Sequence, residues 1–326
     1  MAGGQERALR RRIRSIQSTK KITRAMELIA ASQIVRSLTR MTANRPYREG
    51  MARIVVEAAK GDPAAAAKLL GEPAERRAVA VLAIVGDRGL SGAYNSSVLR
   101  ATERVIVALR REGIETRLFS VGRKAPGYFR FRHQDVERSF TGMSERPQWS
   151  DARTVAAVVS APFLSGDVDQ VLLVSTRYRS AGSQVVETRQ LLPLPEPEIG
   201  TVTPGAVTGA AGASARDPAG SSTPGARDAA SAEGPTGYTE FEPDVETLLA
   251  QLAPRAVESE IFTALLEGAA SFFTAQQRAM AAASDNADEL IRTLTRVMNR
   301  ARQDAITTEI MEIVGGAEAL RQSKGA

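Results

Sequence analysis

The chain has 326 residues, 43% of them apolar, with no cysteine and one histidine, His133. It is long enough for one large domain or two smaller ones, and its composition speaks against disulfide frameworks, thiolate or histidine metal sites, cysteine nucleophiles and a Ser-His-Asp triad. The net charge of +6 is concentrated at one end: within residues 1–50, Arg7, Arg10, Arg11, Arg12, Arg14, Lys20, Lys21, Arg24, Arg36, Arg40, Arg45 and Arg48 face only Glu6, Glu27 and Glu49. Such an end suits an anionic partner, whether nucleic acid, acidic lipid or acidic protein surface.

From about Glu6 to Asn44 there is no Gly or Pro, and helix formers dominate; the pattern predicts one long helix that stops at Pro46. Its apolar residues fall at Leu9, Ile13 and Ile16, at Ile22, Met26 and Ile29, and at Ile34, Leu38 and Met41, with a shift around Thr19-Lys20-Lys21. Arg24 and Glu27 interrupt the only candidate apolar run of a secretory signal. No run approaches the ~20 apolar residues that span a bilayer, so a soluble, intracellular protein is expected.

The centre differs in composition. Val79 to Val85 is a continuous apolar run ending at Gly86, as in a strand covered on both faces. A helix is expected over 96–111, a strand over Arg117–Val121, a helix near 151–164, a strand over Val171–Ser175 and an edge strand from Val185 to Leu192. This alternation predicts a small, mostly parallel, Rossmann-like α/β domain within 75–195. Residues 196–237 are mostly Gly, Ala, Pro, Ser and Thr without an aromatic and read as a disordered insertion.

After Pro254 no proline occurs, and helical spacing runs from Val257 nearly to the end. Leu290, Leu294, Val297 and Ala301, then Ile306, Ile310, Ile313, Ala317 and Leu320, keep three–four steps like the seam of a coiled coil. Ser284-Asp285-Asn286 could restart the helix as an N-cap; a continuous helix would reach on the order of 100 Å. Most of such a helix must stand outside any domain, and the helix of residues 1–60 is its nearest partner. The expected fold is therefore a long antiparallel coiled coil of the two ends, carrying the α/β domain.

Chemistry is hard to find. Gly86-Asp87-Arg88-Gly89-Leu90-Ser91-Gly92 occupies the place of a phosphate loop, but its spacing matches neither the dinucleotide fingerprint nor a P-loop. Asp87 suits hydrogen bonding to neighbouring turn amides. Asp167 and Asp169 show no acid–base partner, and Trp149 and His133 read as packing or surface residues. No cofactor, metal or catalytic constellation is expected.

Lys20-Lys21-Ile22-Thr23-Arg24-Ala25-Met26-Glu27-Leu28, Ala30-Ala31-Ser32 and Arg45-Pro46-Tyr47 resemble the N-terminal signature of gamma subunits of F-type (rotary) ATP synthases. Asp87 to Gly92 is similar to that family's loop, with Ser91 where Cys usually stands. Ser284 to Ala287, Asn299 to Thr307 and Glu309 to Ala317 are similar to its C-terminal signature. The resemblance covers both ends and the centre, leaving out the insertion. It implies a C-terminal helix continuous through 284–287, in a stalk entering the axial cavity of three alpha and three beta subunits. The α/β domain would stay outside, near the epsilon subunit and the c-subunit ring. By the same resemblance Lys20, Lys21 and Met26 would face a beta subunit's acidic lever, and Arg302 and Gln303 its loops. Ile310, Ile313 and Val314 would turn in an apolar sleeve. Within the segment 238–326, Tyr238 and Glu242 would form the foot on the c ring. The implied function is a central rotor shaft without catalysis of its own, peripheral on the cytoplasmic face of the bacterial plasma membrane and touching the membrane only through the c ring. Two alternatives remain at this point, a nucleic-acid-binding basic helix and a nucleotide-dependent enzyme on the α/β domain.

Overall fold

The protein's computed structural model describes residues 2–61, 76–194 and 244–324. In chain order the elements are α1 (Ala2–Gly61), β1 (Ala78–Ile84), α2 (Tyr94–Arg111), β2 (Glu115–Val121), α3 (Lys124–Phe131), β3 (Arg138–Phe140), α4 (Trp149–Leu164), β4 (Gln170–Tyr178), β5 (Gln184–Leu192) and α5 (Val245–Lys324). The expected insertion 196–237 and the foot residues Tyr238 and Glu242 lie outside the described residues.

The two terminal helices, of 60 and 80 residues, are roughly 90 and 120 Å long at ~1.5 Å per residue. α1 does not stop at Pro46 but runs through it to Gly61. A mid-helix proline forfeits a hydrogen bond and costs ~3 kcal/mol, and packing offsets it here. Tyr47 lies edge-on to Trp149 at 5.3 Å, and Trp149 edge-on to Phe262 of α5 at 5.2 Å. α5 likewise begins before Pro254. Its cap is Asp244, whose carboxylate accepts from the Thr247 backbone N–H and hydroxyl, each at 2.9 Å. No restart occurs at Ser284, which is buried inside the continuous helix.

The sheet order is β3-β2-β1-β4-β5, parallel except for the antiparallel edge strand β5. The apolar run of β1 is explained by cover on both faces. Val79, Val81, Ala83 and Val85 pack with Val98 and Ile106 of α2 and Phe129 of α3. Ala80, Leu82 and Ile84 pack with Val155 and Val159 of α4 and Val257, Ile261 and Leu265 of α5. The lower half of the long C-terminal helix is thus a core helix of the α/β body. α3 and β3 went unread because each is short, and Pro126 and Gly127 look like a loop; Pro126 sits in the first turn, where no intrahelical donor is lost.

Candidate functional site

The shaft is built by a heptad. Along α1 an unbroken alternation of three and four links covered positions: Leu9, Ile13, Ile16, Lys20, Thr23, Glu27, Ala30, Ile34, Ser37, Met41, Asn44, Arg48 and Met51. On α5 the matching positions are Ser284, Ala287, Ile291, Leu294, Met298, Ala301 and Ala305. This is the period of a left-handed coiled coil. The pairing is antiparallel: Lys20 Nζ meets Asp288 at 2.5 Å, the Thr23 and Ser284 hydroxyls meet at 2.7 Å, Asn44 donates to Thr263 at 3.0 Å and Arg48 pairs with Glu260 at 3.1 Å.

That seam corrects two expectations. It continues through Lys20 and Thr23 without a shift, so Ile22 and Ile29 point away from it, 58% and 60% exposed, with Met26 half-buried beside them. Small and polar residues (Ala30, Ser37, and Thr23 with its buried partner Ser284) line the contact, because close approach and hydrogen bonding fix register where bulk does not. On α5, Leu294 and Ala301 are in the seam, whereas Leu290 and Val297 are exposed.

The last part of α5 has no partner among the described residues. Facing pairs advance on one helix as they recede on the other, so Ala2 lies opposite about residue 306. Some 18 residues, ~27 Å at ~1.5 Å each, project as a single helix. Ile306, Ile310, Met311, Ile313 and Val314 lie along it at 46% to 72% exposure. Arg302 and Gln303, just below, are exposed. Expected seam residues Ile306, Ile310 and Ile313 therefore form a bare apolar tip; the side chain of Leu320 is outside the described residues.

Where shaft meets body, Met26, Ile29 and Gln33 of α1 and Phe272, Phe273 and Gln276 of α5 wall an open groove of about 600 Å³, closed opposite by Asp87, Arg88, Arg123, Glu145 and Arg146. Phe272 is edge-on to Tyr94 at 5.7 Å, and burial pushes the Tyr94 phenol above its ordinary range. Gly268 lets that ring in, since a Cβ there would stand 3.1 Å from the Tyr94 hydroxyl. Lys21 is exposed on the same stretch of α1. Some of the basic excess is internally matched: Arg24 pairs with Glu27 at 2.8 Å and Arg45 with Glu49 at 2.6 Å.

Beyond the strand ends, the loop with phosphate-loop placement turns inward. The Asp87 carboxylate, buried, accepts from the backbone N–H of Gly142 at 3.0 Å, Arg123 at 3.1 Å and Ser144 at 3.3 Å, and from the Ser144 hydroxyl at 2.7 Å. Burial alone would raise its pKa; these donors outweigh it and hold the group below the ordinary carboxylate value. Asp87 thus ties three loops together rather than the amides of its own turn. Gly122 completes the closure at φ +101°, where any Cβ would meet the Val85 carbonyl oxygen at 2.3 Å. Asp169 does similar work below, accepting from the N–H groups of Arg77 and Ala78 at 2.7 and 3.1 Å.

One cluster escaped the sequence reading entirely. Arg189 of β5 lies between the shaft's acids, 3.6 Å from Glu260 and 3.5 Å from Glu267, with Arg48 of α1 on the far side of Glu260. Burial raises the Glu267 pKa and nearby Glu260 adds to this, against the pull of Arg189, Arg177 and Arg48. Two acidic residues two turns apart on a largely buried stretch of helix, Glu260 and Glu267, were the available signal.

A sequence profile described as "ATP synthase" matches residues 5–320. The chain is 45% identical over 321 residues to the "ATP synthase gamma chain" of Parafrankia sp. (strain EAN1pec), covering 97% of this chain and 98% of that one. The chain belongs to the ATP synthase gamma chain family. It is also 46% identical to the gamma chain of Frankia casuarinae over 321 residues, with the same coverage. Among solved structures, a chain of the Euglena gracilis mitochondrial ATP synthase (OSCP/F1/c-ring, rotational state 3) shares the fold with a TM-score of 0.64, 15% identity and coverage of 99% of this chain and 97% of that one. A chain of the Tetrahymena thermophila mitochondrial ATP synthase central stalk and c ring gives 0.57 and 22%, covering 81% and 99%. No described helix is long and apolar enough to cross a membrane.

Proposed function

We propose that this chain is the central rotor shaft of an F-type ATP synthase, coupling c-ring rotation to conformational change in three catalytic beta subunits, with no bond chemistry of its own. The observation that carries the reading is the projecting helix end, apolar and without a partner among the described residues. Exposed isoleucines along ~27 Å of single helix are costly in water and call for an enclosing sleeve, which three alpha and three beta subunits would supply to Ile310, Ile313 and Val314. A two-helix rod has no threefold symmetry, so each beta subunit meets a different face. A partner shifts a conformational equilibrium only through differential contact with its states, and turning the rod redistributes those contacts.

In this reading Lys20, Lys21 and Met26 meet the acidic lever of a beta subunit, and Arg302 and Gln303 its loops. The outward Ile22 and the exposed Lys21 support that placement, because they leave this side of α1 open to another chain, and the groove beside Met26 is itself open. Tyr238 and Glu242 would form the foot on the c ring, next to the epsilon subunit. The division into shaft (1–60 and 238–326), body (75–195) and insertion (196–237) belongs to the same proposal, as does a peripheral position on the cytoplasmic face of the bacterial plasma membrane. The nucleic-acid alternative finds no support among relatives that match end to end as ATP synthase gamma chains.

The test is Met26→Lys in the assembled enzyme. A new cation on this face adds a contact to the acidic lever, so protons pumped per ATP hydrolysed should fall while the complex still assembles. An unchanged ratio in a fully assembled complex overturns the placement of Met26.

A further inference from the structure

The face of the body turned away from the shaft carries a charge pattern that neither the family resemblance nor the rotor reading uses. α2 and α3 cover the side of the sheet opposite α5. Within residues 94–111 and 124–132 the chain places Arg100, Arg104, Arg110, Arg111, Lys124, Arg130 and Arg132 against one acid, Glu103. Glu103 is already committed, to Arg132 at 2.6 Å and the Tyr128 hydroxyl at 2.7 Å. That hub locks the two helices side by side and makes their cations one surface.

Elsewhere the body matches its arginines: Arg77 with Asp169, Arg88 with Glu145, Arg177 and Arg179 with Glu187. On this face, among the described residues, Arg100, Arg104, Arg110, Arg111, Lys124 and Arg130 are exposed and have no carboxylate within 4.0 Å. Like charges crowded at helical spacing repel one another, and the chain leaves that cost standing. The pattern is also ordered. Arg100, Arg104, Val107 and Arg111 follow a single exposed stripe of α2, and Phe131, the last residue of α3, is 79% exposed. A cationic ladder with an apolar centre complements an amphipathic acidic helix, whose carboxylates would pair with the arginines while an apolar residue covers Val107.

We propose that the α2–α3 face is a docking surface for an acidic helical segment of a partner protein. A chain without cysteine allows the site to be read directly. Val107→Cys takes one environment-sensitive fluorophore on the docking face, and Val35→Cys, exposed on the shaft, takes it as a control. The probe is an acidic amphipathic peptide of about 20 residues, titrated against the full chain. The expected result is a saturable change at position 107 and none at position 35. Affinity should fall roughly tenfold between about 50 and 300 mM salt, and by a similar factor with R100E/R104E/R111E. Three outcomes overturn the proposal: no response at 107, equal affinity for the charge-reversed chain, or a stronger response at 107 to phosphatidylglycerol vesicles or duplex DNA than to the peptide.

Discussion

The lower and upper halves of α5 are one continuous helix in two environments. Between Leu249 and Phe273 its apolar residues are buried against the sheet and α1, whereas Ile306 to Val314 stand in solvent. Apolar periodicity is present in both halves, so the pattern alone does not say what a helix face buries against. In the lower half the partner is in the same chain. In the upper half no partner lies among the described residues. Continuity of the helix makes the body a handle on the tip, because torque applied to one end of a hydrogen-bonded rod reaches the other without a hinge. Phe272, against Tyr94, and the Arg189 cluster fix that handle to the rod.

If the lower half is held by specific contacts, breaking one should destabilise the body, and the largest effect is expected at Arg189→Met. The substitution keeps the aliphatic length but strips Glu267 and Glu260 of their shared cation. Removing one member of a buried ion pair typically costs about 3–5 kcal/mol. About 3 kcal/mol is expected here, since the cluster is partly wet at Glu260, and urea denaturation of the full chain measures it. Adding Glu267→Gln should recover part of the loss, because burial already disfavours the charged form of Glu267. A loss below about 1 kcal/mol would mean the sheet grips the shaft through apolar packing alone.

A middle-sized effect belongs to Asp87. Asp87→Asn keeps the shape but turns an amide group toward donors from Gly142 and Ser144, at a cost of about 2 kcal/mol. The folded-state pKa of Asp87 is depressed, so its stabilisation is present above the unfolded value of ~3.9 and fades as pH falls through the lower folded value. The gap between parent and variant should therefore be constant from pH 8 to about pH 5 and close below about pH 4. A gap that stays open in acid would assign the loss to geometry rather than charge.

Much of this architecture was legible. The terminal helices, four of the five strands and the parallel sheet follow from long proline-free runs and continuous apolar strands. The seam was legible only in part, since Ile22 and Ile29 outweigh Thr23 and Ala30 in any reading by hydrophobicity. What decides the face is the partner's shape: Ser284 and Ala287 accept a close neighbour, and Thr23 can bond across. Local propensity reads Pro46 and Pro254 as boundaries, yet both helices run through their prolines, and at Pro46 the aromatic packing of Tyr47 offsets the cost. The Arg189 cluster depends on a strand and a helix distant in sequence meeting in space, which no local pattern reports.

The smallest effect on stability should come from the upper half, and it isolates the comparison most cleanly. Ile310→Asn with Ile313→Asn replaces two exposed apolar side chains that have no partner among the described residues, so the isolated chain should lose no more than about 0.5 kcal/mol. The same pair should matter once the tip is enclosed, because two asparagines taken out of water without partners cost about 1–3 kcal/mol each. Assembly competition between parent and variant chains for a limiting supply of alpha and beta subunits measures that difference. Equal incorporation would mean the tip stays wet inside the complex, and its apolar residues would then need another explanation. A variant that unfolds on its own would instead place Ile310 and Ile313 against a surface of this chain. Preferential exclusion of a stably folded variant is the outcome that separates a handle from a tip.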